Sequence, residues 1–145
     1  MIEYLIWLHT ALGAGNPRGA KALEAIGSAE KIYEMNDSGR RQSGLFTPKD
    51  IGALNAVKLD EAKLIEKECR RHGITVLPYT DGKYPQKLKV IAAPPVLLYL
   101  KGKLPNVDET PTVCIVGPRE SSGFGQKAAY SLGLSLIHIS EPTRP

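Results

Sequence analysis

The residues best suited to chemistry form one short run: Val113-Cys114-Ile115-Val116-Gly117-Pro118-Arg119, then Glu120-Ser121-Ser122-Gly123-Phe124-Gly125. The four apolar residues read as a strand of a parallel sheet that empties into a tight loop. A helix is expected from near Gln126. The first N–H groups of a helix are unpaired and carry partial positive charge, so such a turn suits a phosphate. Arg119 adds a planar cationic fork that can hold two phosphate oxygens or stack on a base. The glycines Gly117, Gly123 and Gly125 depart from the dinucleotide fingerprint, whose first two glycines are separated by a single residue. An ordinary strand-to-helix turn with a solvated Arg119 explains the same residues, and both readings stand at this point.

Other chemistries find less support. No serine sits in a Gly-x-Ser-x-Gly turn, and Cys69 falls in a helix pattern without an activating pair. His9 lies in a helix beside Leu8, and His72 precedes a glycine cap, where it complements a helix C-terminus. His138 is in a tail discussed below and is expected to be neither ligand nor catalyst. Asp81 and Tyr84 fit a turn and its packing better than a catalytic pair. Arg40-Arg41 and Arg70-Arg71 read as solvated surface. No catalytic residue, metal or cofactor is expected.

The elements that must carry the loop are legible from patterning. Tyr4, Leu5, Trp7, Leu8 and Leu12 have helical spacing, ended by Gly13-Ala14-Gly15-Asn16-Pro17. Arg18–Ile26 and Ala29–Met35 follow as short helices, the second capped by Ser28. Gly39–Gly44 reads as a basic, flexible link. Thr47-Pro48-Lys49-Asp50 is a helix start, with Thr47 as cap. Leu59–His72 is a long helix signal closed by Gly73. Ile74–Leu77 and Val96–Leu100 read as short strands, with an Asp81-Gly82 turn and a helical turn opened by Pro85 between them. The Gly13-Ala14-Gly15 turn with Arg18 and Lys21 suits a phosphate backbone, and equally suits a helical domain that binds nothing.

Bulk properties bound the answer. The chain of 145 residues is 42% hydrophobic and 23% charged, a globular mixture with room for one domain or two small ones. Its net charge of +4 leans weakly toward a polyanionic partner. Cys69 and Cys114 are too few and too distant for a metal cluster, and free thiols in a reducing cytoplasm are expected. No apolar run approaches the roughly 18 residues of a membrane span. The N-terminal apolar segment also lacks the basic start of a secretion signal. The final residues, 134–145, break the preceding pattern. Their string LSLIHISEPTR is similar to a translated sequencing-adapter end, so an artefactual tail on a truncated reading frame is expected.

The order of features resembles the DNA-processing protein A family, DprA or Smf, of bacterial competence and recombination. The resemblance rests on Gly73–Leu77, Asp81–Leu88, Pro94–Gly102 and Val113–Arg119, and extends to Ser122 and Phe124-Gly125. It implies an α/β chain with three parts. These are a sterile-alpha-motif-like helical domain at 1–72, the start of a Rossmann-like DNA-binding domain at 73–133, and the tail at 134–145. It also implies single-stranded DNA binding, protection of that strand, loading of RecA, a homodimer when full length, and no catalysis. The family's Gly-Ser-Arg motif falls on Gly117-Pro118-Arg119, which gives Arg119 a phosphate role. Pro118 replaces the usual serine and removes one N–H and one hydroxyl. The expected DNA-binding set is Gly117, Arg119, Ser122, Gly123, Gly125 and Lys127. The alternative is a Rossmann-like enzyme that uses the same loop for a nucleotide phosphate.

Overall fold

The computed structural model describes the backbone of residues 1–140 and the side-chain surroundings of residues 1–136. His138 therefore lies outside the residues whose side chains are described. The chain divides into two units, Met1–Thr110 and a second from Pro111 onward, each described by itself. Together they are mixed helical with one small antiparallel sheet, compatible with an α/β class.

Six helices open the first unit: α1 (Ile2–Leu12), α2 (Pro17–Ile26), α3 (Ala29–Glu34), α4 (Asp37–Gln42), α5 (Pro48–Ala56) and α6 (Leu59–Arg71). Their starts follow local chemistry. Asn16 Oδ1 accepts from Arg18 N, and Ser28 Oγ accepts from Lys31 N. Thr47 and Asp50 form a reciprocal capping box around Pro48. Gly73, at φ 65°, occupies the left-handed region in which α6 ends.

Two strands follow, β1 (Ile74–Pro78) and β2 (Leu97–Lys101), with the single turn α7 (Gln86–Lys89) between them. The strands pair antiparallel, Ile74 opposite Lys101 and Leu77 opposite Leu98. The core runs without a break from Ile6, Trp7, Leu8, Leu23 and Leu54 into Leu77, Tyr84 and Leu97. Gly19 of α2 permits one close approach here. A Cβ at that position would stand 2.7 Å from Val96 Cγ1. Tyr79 Oη donates to Glu24 Oε1 at 2.6 Å, and that bond, with burial, pushes the phenol pKa up to about 12.

Two expectations need correction. The segment expected as a flexible link at Gly39–Gly44 contains most of α4, because Asn36 Oδ1 caps it at Gly39 N. Arg40, expected to be solvated, is 4% exposed. Its guanidinium donates to Ile32 O, to Tyr33 O and to Asn55 Oδ1, and lies 5.6 Å from the Trp7 ring centroid. Trp7 Nε1 in turn donates to Leu54 O and Val57 O. One cation and one indole thus satisfy the ends of α3 and α5 while holding α1 and α4 against them.

In the second unit, the strand expected at Val113–Val116 does not form. Val113 and Val116 are 68% and 85% exposed, and no strand among the described residues pairs with the segment. An apolar run becomes a strand only where a neighbour takes its N–H and C=O groups. The long helix α8 (Gly123–Ser140) follows.

Two predictions follow from the first unit. Arg40→Met should cost about 3 kcal/mol in urea denaturation, because it orphans carbonyls at about 1–3 kcal/mol each. The second concerns His9. Its buried Nδ1 has no partner among the described residues, and burial holds its pKa below the ordinary imidazole value. The folded chain therefore resists a proton that the unfolded chain accepts. Stability should be full above about pH 6.5 and decline as pH falls below it. Thermal melts between about pH 7 and pH 5 should show that decline, and His9→Phe should flatten it.

Candidate nucleic-acid interface

The loop residues singled out by the sequence all lie in the second unit. Residues Gly117 to Glu120 carry no regular structure, and Arg119 is fully in the exposed class with its neighbours. Three residues later Ser122 ends the loop as a helix cap. Its Oγ accepts from Gly125 N at 3.2 Å, and its carbonyl accepts from Gln126 N at 3.0 Å. The cap starts α8 at Gly123, three residues earlier than patterning suggested, because a serine oxygen replaces the missing intrahelical acceptor. The N–H groups of Gly123 and Phe124 are then first-turn donors without a backbone partner among the described residues.

The exposed Lys127 stands one turn into the helix, and Gly125 is half-buried against Ser121 and Ser122. Ser122 spends an oxygen lone pair on the cap yet keeps its hydroxyl proton as a donor. Pro118 offers no N–H, so the loop's donors lie to either side of it. The turn therefore joins a helix N-terminus to two exposed cations, a set able to hold oxyanions. Phe124, 83% exposed, adds an aromatic face on which a base could stack.

Other residues weighed for chemistry take structural roles. Asp81 Oδ1 accepts from Lys83 N, which closes the turn after β1. Tyr84 is buried and donates to Pro95 O. Arg18, a candidate for a phosphate backbone, lies 3.5 Å from Asp50 Oδ2. Burial raises the Asp50 pKa, but hydrogen bonds from Thr47 and Asn16 and the Arg18 charge outweigh it, and the net shift is downward. His72 ends α6 at 3.5 Å from Glu68 Oε2. Cys69 is buried and Cys114 exposed. Among the described residues no helix is long and apolar enough to cross a membrane.

Residues 75–140 match the family described as DNA recombination-mediator protein A. That segment is of the DprA/Smf type. The match takes in β1, β2, the Arg119 loop and α8, so the loop belongs to a DNA-processing, recombination-mediator family. No curated protein and no solved structure matches the chain. The DprA-type segment also contains two residues that motif reading passed over, Lys83 and Lys103. The signal for them was present: from Gly82 to Val107 the sequence has five lysines and no carboxylate.

The cap can be tested by amide hydrogen exchange. Ser122→Ala should lower protection at Gly125 and Gln126 about fivefold, the equivalent of a cap worth ~1 kcal/mol. Unchanged protection would show that the hydroxyl does not hold the helix start.

Proposed function

We propose that the chain is part of a recombination mediator that binds single-stranded DNA, shields the strand and delivers it to RecA. One observation carries this reading: the DprA-type segment contains an exposed arginine just before a capped helix N-terminus, a polyanion-binding arrangement inside a DNA-processing family. In the proposal Arg119 grips a phosphate, the Gly123 and Gly125 backbone turns N–H groups toward it, and Lys127 and the Ser122 hydroxyl add donors. Gly117 lets the backbone approach the strand.

The architecture in this proposal is that of the family. Helices α1 to α6 form a sterile-alpha-motif-like module, and the residues from 73 onward begin a Rossmann-like domain. Residues 134–145 stand apart as an adapter-derived tail. The working protein is a cytoplasmic homodimer that performs no catalysis. Binding is sequence-tolerant and weakens with salt, because phosphate neutralisation releases counterions.

Fluorescence anisotropy with a labelled oligo-dT strand tests this reading. Arg119→Ala should weaken binding about tenfold at low salt, as expected for loss of one charge-assisted phosphate contact. An affinity within about twofold of the parent would remove Arg119 from the site. Tight binding of a free mononucleotide with turnover would favour a nucleotide-processing enzyme instead.

A further inference from the structure

The first unit contains a cleft that the Arg119 loop does not explain. It has a volume of about 590 Å³ and is floored by Thr75 and Leu77 of β1 and Leu100 of β2. Its far wall is the connector Gly102–Asp108, and Lys83 and Lys103 stand at its rim. That volume is within the range of pockets that hold one small organic ligand.

The charge balance of the cleft is one-sided. Neither Lys83 nor Lys103 has an ion-pair partner among the described residues. Asp108 also lines the cleft, but its carboxylate is engaged. Oδ2 accepts from Gln86 N at 2.9 Å and Oδ1 from Lys87 N at 3.0 Å. Lys87 cannot turn inward either, because its ammonium donates to Val107 O and Thr110 O. An aliphatic floor thus meets two unpaired ammonium groups.

Such a surface fits a ligand with a flat, weakly polar body and a compact anion. A lysine ammonium serves as a point charge for phosphate, and aliphatic side chains cover a base face. We infer that the Lys83–Lys103 cleft seats one phosphate-linked nucleotide of the DNA strand, as a second contact separate from the Arg119 loop. The inference rests on the proposed DNA-binding function. It is supported by the family match, which spans every residue lining the cleft.

The test combines two readouts on the purified protein. Oligo-dT affinity is measured from about 50 to about 200 mM salt for the parent, for Arg119→Ala and for Lys83→Gln/Lys103→Gln. Each lost contact to a single strand should reduce the log–log salt slope by about 0.7, so the double variant should lose about 1.4. The second readout is backbone amide shifts at Gly82, Lys83, Gly102 and Lys103 on adding the strand. These should move in the parent and in Arg119→Ala alike, which keeps the test decisive if the double variant folds poorly.

An unchanged slope in the double variant together with still amides overturns the cleft, and a weakened Arg119→Ala then leaves the proposed function standing. A parent that binds no strand overturns both. Equal or larger shifts with polyglutamate also overturn the inference and assign the cleft to an acidic peptide.

Discussion

The helical part of the chain depends on the Arg40 guanidinium beneath the Trp7 indole. Burying a cation is costly unless its donors find acceptors. Here the acceptors are backbone carbonyls at the end of α3 and the amide oxygen of Asn55, groups that would otherwise be left without partners. The indole performs the same service at the end of α5, through Leu54 O and Val57 O. Short helices have marginal stability alone, so their persistence comes from tertiary ties of this kind. Because the donors form a rigid fork, the pair also fixes direction, which an apolar contact of equal area would not.

From that anchored bundle the core passes into the β-hairpin, and the hairpin positions the lysine-rich stretch. Tyr79 and Tyr84 meet edge to face with centroids 5.3 Å apart, and the Lys89 ammonium lies 5.2 Å from the Tyr79 ring. Packed aromatic rings therefore fix the backbone on which Lys83 and Lys87 are mounted. A cation on a supported backbone loses less freedom when an anion arrives.

What could be read from the sequence was local. The Thr47–Asp50 capping box, the Ser28 cap, the Gly73 stop and the two short strands depend on neighbours a few residues apart, and each was recognisable. Arg40 was not, because its acceptors arrive from Ile32, Tyr33 and Asn55, and nothing in the string Arg40-Arg41 distinguishes the buried member from the exposed one. The α4 helix was hidden by its polar composition and by Gly39, while the signal that mattered was Asn36. Val113–Val116 misled for the opposite reason: β-prone residues make a strand only when another chain segment is alongside. In the candidate site, Arg119 and the helix start could be picked out by type and spacing. That Ser122 sets the first turn was not apparent until its hydroxyl was seen bonded to Gly125 N.

Asp108 and Lys87 close a reciprocal clasp, the carboxylate on two amides of α7 and the ammonium on two carbonyls of the connector. The bonds to the Lys87 and Gln86 amides hold the Asp108 pKa below the ordinary aspartate value. The clasp is accordingly an acid-labile latch. It should stay shut through the neutral range and let go only when the medium falls below roughly pH 4, while the tyrosine pair behind it, which has no acidic proton to gain, stays assembled.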